Sequence, residues 1–283
     1  MIRLVGMLVG LGFTFVVLLA FVVGAYTAAT EPVEETAAYA FHAEAEGPEG
    51  GYSFDGAFGK WDQAQLQRGY QVYKEACSTC HSLSYVAFRD LADLGYSDAQ
   101  IKAEAESYTI PVYDENNVEI VRNPGLATDY FPPVPYAGLG NPPDLSLMTK
   151  ARHGGADYIY SLLTGYENMA TYTNEDGERL MEEYPDFQLG TGLNFNPYFE
   201  GLGISMPQPL TDGQITYAEG GPASLDQAAQ DVSAFLAWTA EPKMIERKRT
   251  GWWVLAFTLF ATILAWFAKK QVWSSVKPKR EDD

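Results

Sequence analysis

Two long uncharged apolar runs, one near each end of the chain, dominate its hydrophobic pattern. The first extends from Leu4 to Ala25 and the second from Gly251 to Ala268. A helix needs about 20 apolar residues to cross the hydrocarbon core of a bilayer. Both runs therefore predict membrane-associated helices, and the polar and amphipathic sequence between them predicts a domain outside the membrane.

The amino-terminal run has the features of an export segment. Arg3 precedes it, and Thr27 and Ala29 after it are small residues that suit a signal-peptidase site. The run is long for a signal peptide and nearly long enough to span a bilayer. We expect residues 1–29 to be either a cleaved signal peptide or a retained membrane anchor, and both alternatives export the following domain, residues 30–245.

The carboxyl-terminal run has the flanks of a transmembrane helix. Trp252, Trp253 and Trp266 lie near its ends, as in the aromatic belts at membrane surfaces. Basic residues flank both sides, and more of them follow: Arg247, Lys248 and Arg249 come before, and Lys269, Lys270, Lys277, Lys279 and Arg280 come after. The positive-inside rule then predicts an anchor within residues 246–283, spanning at 251–268, with a short cytoplasmic tail.

Two amphipathic helices are predicted to cross each other in the exported domain. Asp62 is a predicted N-cap with Gln65 three residues later, and the apolar stripe of this helix is Leu66, Tyr70 and Tyr73. Gly69 lies on that stripe, where a missing side chain allows another helix to approach closely.

The predicted partner helix lies near the carboxyl end of the domain. Ser224 and Gln227 predict a capping box, and Pro242 ends the helix. Its apolar stripe is Leu225, Ala229, Val232, Phe235, Leu236 and Thr239. Such a stripe indicates core packing.

The remaining sequence predicts short helices and long loops. One helix is expected from Asp157 to Tyr166, closed by Gly165, and a short polar one begins near Ser97. Residues 31–58 are rich in Glu, Gly and Ala and predict a flexible or extended approach, and residues 110–143 are too rich in Pro and Gly to favour paired strands. The predicted fold class is mostly α, with long loops around something large and apolar that the chain itself does not supply.

Composition and charge narrow the functional classes. The chain is 47% hydrophobic and 14% aromatic, enough to form a globular core, and its formal net charge is -18. Such an acidic chain is not expected to bind nucleic acid, and it favours a cationic partner.

The only two cysteines, Cys77 and Cys80, precede His81 in the sequence "CSTCH". A structural zinc site needs four ligands, usually in two separated pairs, and there is no second pair. A thioredoxin-like dithiol needs a βαβ setting, which the preceding helix does not provide. Covalent attachment of haem employs all three residues: the thiols bind the porphyrin and His81 binds the iron. We therefore predict one haem c.

A haem used for electron transfer needs a second axial ligand, and a thioether raises its potential. The candidates are two histidines and five methionines outside the apolar ends: His42, His153, Met148, Met169, Met181, Met206 and Met244. Most methionines only fill the core. Met206 is favoured because it lies in a Gly- and Pro-rich loop that Pro207 and Pro209 stiffen.

Four segments give the chain a resemblance to the cytochrome c1 family, the haem subunit of ubiquinol:cytochrome c reductase. They are "DQAQLQRGYQVYKEACSTCHSL", "PPDLSLMTKARHGGADYIYSLLTGY", "NPYFEGLGISMPQPL" and "QDVSAFLAWTAEPKMIERKRTGWWV". They follow the family order and cover most of residues 60–275. The last two are more specific than the haem-attachment motif, since short soluble cytochromes have neither.

The resemblance implies a role for each site residue. Cys77 and Cys80 would form the thioethers, while His81 and Met206 would be the axial ligands. Arg152 and Tyr158 fall where the family contacts a haem propionate. A guanidinium suits that role because a buried carboxylate needs a compensating cation or hydrogen bonds.

The resemblance also implies a place in the respiratory chain. The subunit would accept an electron from the Rieske iron–sulfur protein and pass it to a soluble or anchored cytochrome c, beside cytochrome b in a dimeric multisubunit complex. It would act as a redox subunit without catalytic activity of its own. The haem domain would face the periplasm, held to the inner membrane and its lipid.

Some features depart from the family or leave alternatives open. Some relatives have an extra cysteine pair near the distal ligand, which this chain lacks, and the acidic stretch from Thr173 to Phe187 has little family character. That stretch is either a docking surface or a solvated loop. The alternative functions are a cytochrome c subunit of a terminal oxidase or nitric oxide reductase, and a haem-based gas sensor.

Overall fold

Helices joined by long connections make up most of the protein, as the sequence predicts. The structure is a computed structural model that describes residues 2–30, 35–113, 119–122, 124–136, 138, 140–218 and 220–276. The α-helices are α1 (Ile2–Thr30), α2 (Ala37–Ala40), α3 (Gln63–Val72), α4 (Asp98–Glu106), α5 (Met148–Ala151), α6 (Ala156–Thr164), α7 (Leu180–Glu183), α8 (Leu225–Ala240) and α9 (Met244–Trp273). A π-helical turn (Tyr73–Cys77) continues α3, and a 3-10 helix covers Phe88–Leu94.

Three small antiparallel strand pairs complete the described part of the fold. They are β1 (Ile110–Tyr113) with β2 (Glu119–Arg122), β3 (Asn194–Phe195) with β4 (Gly203–Ile204), and β5 (Thr216–Tyr217) with β6 (Gly221–Pro222). The first pair corrects the expectation that residues 110–143 contain no paired strands, since Pro111 lies opposite Val121 in its register. A two-stranded sheet has only edge strands, and an edge strand tolerates proline.

The helix starts follow the capping residues seen in the sequence. The Asp62 carboxylate accepts hydrogen bonds from the Ala64 and Gln65 amides, at 3.0 and 3.2 Å, at the start of α3. Ser224 Oγ accepts from the Gln227 amide at 3.1 Å. The Gln227 side chain donates to Asp231 instead of forming the return bond of the predicted capping box.

The crossing of α3 and α8 forms the centre of the core, as predicted. A Cβ atom at Gly69 would lie 2.0 Å from the Asp231 carbonyl oxygen and 2.7 Å from Phe235 Cβ, so the two backbones touch where α3 has no side chain. Beside this contact Arg68 donates two hydrogen bonds to the buried Asp231 carboxylate, at 2.8 and 2.9 Å. The crossing therefore combines close backbone packing with an ion pair.

The described part of the segment before α3, residues 35–58, packs against the domain, which contradicts the flexible alternative of the expected flexible or extended approach. Phe41 is buried in a second small core with Tyr172 and Phe195. Ser161 Oγ both accepts from the Glu46 amide, at 2.9 Å, and donates to its carbonyl, at 2.6 Å. A few aromatic anchors and backbone bonds thus order a sequence whose composition resembles a linker. Residues 31–34 lie outside the described residues.

The two terminal helices α1 and α9 are long and apolar enough to cross a membrane, and neither is buried against the domain. The structure extends α9 beyond the predicted span of 251–268, back to Met244 and on to Trp273. At its start Glu241 accepts hydrogen bonds from Lys150 and Arg247, and so ties α9 to α5. The basic residues Lys277, Lys279 and Arg280 lie outside the described residues.

Candidate functional site

A largely apolar cavity of about 370 Å³ lies beside the cysteine-containing turn. This volume is within the range of ligand pockets, about 300–1,000 Å³. Its walls come from the turn at 77–81, the loop at 140–145, α5 and α6, the loop at 203–207 and one side of α8. All six site residues predicted from the sequence line this cavity: Cys77, Cys80, His81, Arg152, Tyr158 and Met206.

The turn that carries the cysteines is built by backbone hydrogen bonds. The Ser78 amide donates to the Tyr73 carbonyl at 2.9 Å, five residues back, which makes the end of the α3 helix a π turn. The His81 amide then donates to the Cys77 carbonyl at 2.9 Å. Single π turns inside α-helices are frequent at functional sites. Burial raises the pKa of the Cys77 thiol to about 12, so this thiol is protonated at neutral pH.

The orientation of His81 is set from a distant part of the chain. Its Nδ1 atom lies 2.8 Å from the carbonyl oxygen of Pro143. Because a carbonyl only accepts, Nδ1 carries the proton, and in the neutral imidazole Nε2 then has the free lone pair. Histidines that bind metals usually have this arrangement, in which the second nitrogen donates to a carbonyl or carboxylate.

The loop that presents Pro143 is itself fixed by Asp144. One carboxylate oxygen accepts from the Ser84 amide and the other from the Ser146 amide, both at 2.8 Å. Burial alone would raise the pKa of Asp144, but the hydrogen bonds from Ser146 and Ser84 outweigh it and lower that pKa. Sequence reasoning missed this positioning role, although "NPPDLS" combines proline with an acid able to cap a turn.

Two methionines line the cavity, and one of them was not singled out from the sequence. Met206 lies just after β4, and its carbonyl accepts from Tyr166 Oη at 3.1 Å and from Asn194 Nδ2 at 3.3 Å. Met148, in α5, is buried and also lines the cavity. The backbone of Met206 is thus held by two side chains, whereas Met148 belongs to the helical core.

Arg152 and Tyr158 occupy a polar part of the cavity wall. Arg152 is exposed to solvent while lining the cavity, and Tyr158 is half-buried. Burial raises the pKa of Tyr158, and the neighbouring Arg152 guanidinium opposes that rise. A cation beside a phenol hydroxyl at a solvent-accessible wall suits a carboxylate ligand.

The other candidates for the second axial ligand, among them Met181, do not line the cavity. His42 and His153 are exposed. Met169 packs against the second small core and Met244 against the main core. In the part of the chain that the structure describes, no three His, Cys, Asp or Glu side chains form a cluster able to hold a metal ion.

The cavity fits a covalently bound haem in the chemistry of its walls. Apolar side chains from three helices and from the loop before α5 supply the lining that a porphyrin face needs: Leu145, Met148, Ile159, Leu162, Leu163, Val232 and Leu236. Two thiols and an imidazole with a free nitrogen occupy one wall, a thioether is presented from a braced loop, and a guanidinium lies near solvent. These are the groups that attachment, axial ligation and charge compensation each require.

Comparison with known proteins gives a consistent match. The Cytochrome C1 family model matches residues 52–276. The chain is 42% identical to cytochrome c1 of Rhodospirillum rubrum over 80% of this chain and 87% of the relative. It is 43% identical to cytochrome b/c1 of Bradyrhizobium diazoefficiens over 79% of this chain, although it spans only 35% of that longer relative.

A mitochondrial relative is similar to the same extent. The chain is 42% identical to the cytochrome c1 haem protein of Neurospora crassa, over 78% of this chain and 65% of the relative. The chain therefore belongs to the cytochrome c1 family, whose members are membrane-anchored electron-transfer subunits of the bc1 complex with a covalently bound haem c, as the sequence predicts.

Proposed function

We propose that this subunit takes one electron from the Rieske iron–sulfur protein and passes it to a cytochrome c through a haem held by Cys77, Cys80, His81 and Met206. The observation that carries this proposal is the single cavity that all four residues line together with Arg152 and Tyr158. In the sequence these residues are spread from position 77 to position 206.

Each side chain has a distinct task in this proposal. Haem c supplies a reversible one-electron couple when bound. His81 presents Nε2 because the Pro143 carbonyl holds Nδ1, and Met206 supplies a thioether, which raises the reduction potential. The apolar lining keeps water away from the ligands, and Arg152 compensates a propionate. No side chain needs to act as an acid, a base or a nucleophile.

The proposed electron acceptor is a basic cytochrome c, soluble or anchored. A formal net charge of -18 attracts a cationic partner and speeds its encounter. The acidic stretch from Thr173 to Phe187 is a candidate docking surface, because Glu175, Asp176 and Glu178 are exposed. Leu180 of the same stretch is buried in the second small core and fixes these charges in place.

The proposed placement follows from the helix α9 and its flanking charges. Residues 30–245 form the haem domain on the periplasmic side of the inner membrane, and 246–283 form the anchor and the cytoplasmic tail. Residues 1–29 are either removed as a signal peptide or retained as an anchor. The subunit works with cytochrome b and the Rieske protein in a dimeric complex.

A matched pair of methionine variants tests the axial ligand. Met206→Leu is expected to lower the haem potential and to let the reduced protein bind carbon monoxide, because the sixth position becomes open. Met148→Leu, which alters the other cavity methionine, is expected to leave both properties close to those of the unmodified protein. Spectroelectrochemical titration and carbon monoxide difference spectra measure the two effects.

A lowered potential and carbon monoxide binding in Met148→Leu but not in Met206→Leu would assign the ligand to Met148. An unchanged haem potential in both variants would reject methionine ligation. Partners are tested separately by gentle detergent extraction and purification of the tagged chain. Recovery with cytochrome b and a Rieske protein is expected, whereas recovery with an oxidase core would contradict the proposal.

A further inference from the structure

Residues 53–60 form a closed loop whose tip carries an exposed aromatic side chain. The Lys60 amide donates to the Ser53 carbonyl at 2.9 Å and closes the loop. At Gly59 an added Cβ would lie 2.2 Å from the Phe54 backbone, so only glycine fits there. Phe54 is buried and anchors one side, while Phe58 is 80% exposed. The loop therefore holds Phe58 in solvent on a constrained backbone.

This loop is attached to the first turns of α9. Lys248 Nζ donates to the Phe54 carbonyl at 2.8 Å and to the Gly56 carbonyl at 2.7 Å. The rings of Phe58 and Trp252 are stacked, with centroids 5.3 Å apart and planes 7° from parallel. One ammonium group and one aromatic pair thus fix the loop to the helix that anchors the family in the membrane.

The contact with Trp252 sets the level of Phe58 along the membrane normal. Trp252 is the second residue of the uncharged run that ends at Ala268, and at 1.5 Å per residue that run is about 27 Å long. The hydrocarbon core of a bilayer is about 30 Å thick, so both ends of the run lie near its boundaries. Trp252 is then in the headgroup region, where aromatic side chains are favoured, and Phe58 lies beside it.

We propose that the loop 53–60 is a second membrane contact of the haem domain, with Phe58 inserted among the lipid headgroups next to α9. The side chain that meets the lipid is the exposed Phe58 ring, while the ammonium group of Lys248 is engaged by two carbonyls. Insertion of this uncharged ring does not require an anionic headgroup. With two points on the bilayer the domain cannot tilt freely away from the membrane surface. The inference needs only the membrane anchor, not the haem ligands.

Spin labelling of the full haem-containing chain in phosphatidylcholine vesicles tests the contact. A nitroxide is attached to Phe58→Cys, and a matched control carries it at Tyr85→Cys, another exposed aromatic position, where Tyr85 is 69% exposed. We expect the ratio of collision rates with oxygen to those with a water-soluble nickel chelate to be several-fold higher at position 58. Adding phosphatidylglycerol is expected to leave that ratio unchanged.

Every other outcome overturns the proposal. Equal ratios at positions 58 and 85 mean that Phe58 faces water. Protection of position 58 from both reagents in the assembled complex means that another subunit covers it instead of lipid. A ratio that rises only with phosphatidylglycerol means that the loop reaches the bilayer only by charge attraction. Labelling of the unmodified chain is the blank, and it reports separately whether Cys77 and Cys80 are blocked by thioethers.

Discussion

Helix α8 has two apolar sides that differ in what covers them. One side packs against α3, where the missing side chain of Gly69 brings the backbones into contact. The other side places Val232 and Leu236 in the wall of the cavity, where no protein side chain fills the space. Apolar residues lie on both sides of α8, Phe235 towards α3 and Val232 and Leu236 towards the cavity. What distinguishes a closed core from a cofactor site is therefore the shape of the opposite wall, not the hydrophobic pattern.

The closed side of α8, which packs against α3, depends most on its buried ion pair. We therefore expect the largest loss of stability when that ion pair is broken. Arg68→Leu leaves the fully buried Asp231 carboxylate without its cation, although the Gln227 amide still donates to it. Removal of one partner from a buried pair costs about 3–5 kcal/mol. Denaturant unfolding of the haem-containing chain in detergent measures the free energy of unfolding.

The matched control is Lys102→Leu, which breaks an exposed pair with Glu106 at 3.8 Å. Exposed pairs contribute at most about 1 kcal/mol. An equally small loss for Arg68→Leu would show that the crossing does not depend on the ion pair.

The second largest loss of stability is expected when the backbone contact between α3 and α8 at Gly69 is disturbed. Gly69→Ala places a methyl group 2.0 Å from the Asp231 carbonyl oxygen, and the two helices must separate. Overpacking of this kind costs about 1–3 kcal/mol. Thermal unfolding is the measurement, and Gly251→Ala is the control because nothing lies within 4 Å of its added Cβ. Equal stability of the two variants would argue against a close crossing.

Tyr73 connects the closed side to the cavity, and its hydroxyl is expected to have a smaller effect. It donates to the His81 carbonyl at 2.9 Å, while its ring packs against Phe235 of α8 with centroids 5.9 Å apart. Burial raises the pKa of Tyr73, so the hydroxyl stays protonated. Tyr73→Phe should cost about 1 kcal/mol of stability.

If the Tyr73 hydroxyl only stabilised the fold, its removal would leave the haem potential unchanged. We expect Tyr73→Phe also to shift the haem potential, because the backbone of His81 loses one of its supports, whereas Tyr85→Phe should change neither property. A normal potential together with lost stability would limit Tyr73 to packing.

The smallest effect is expected at the junction with α9, away from both sides of α8. The hydrogen bond from Arg247, with Lys150, lowers the pKa of Glu241 from 4.5 to about 2. A lowered carboxyl pKa contributes stability above the unfolded value, and this contribution is lost as the pH falls from about 4.5 to about 2. Melting temperatures across that range should fall less steeply in Glu241→Gln, but as steeply as in the unmodified protein in the control Glu246→Gln.

The sequence predicts local features well where one residue determines them. Asp62, Ser97 and Ser224 cap their helices as expected, because a cap involves only the next few amides. Gly69 also predicted a close crossing correctly. These signals are contained within a few residues of the chain.

Features that depend on distant residues were missed. The Pro143 carbonyl lies 62 residues from His81, and no local pattern announces that bond. The order of residues 35–58 depends on burial of Phe41 against Tyr172, which composition cannot show. The pair β1 and β2 was missed because the Pro- and Gly-rich composition of residues 110–143 does not show that Pro111 lies in an edge strand, which tolerates it.

The π turn at Tyr73–Cys77 sets the direction around the helix axis in which Cys77 and Cys80 point. A π turn holds one residue more than an α turn, and one residue corresponds to about 100° of rotation about the helix axis. Deleting a single residue there would leave the crossing of α3 intact and swing the cysteine pair around the helix by more than a quarter of a turn. The π turn thus lets one helix meet two requirements. The buried stripe of α3 packs against α8, and the direction of the cysteine pair is set separately by the turn.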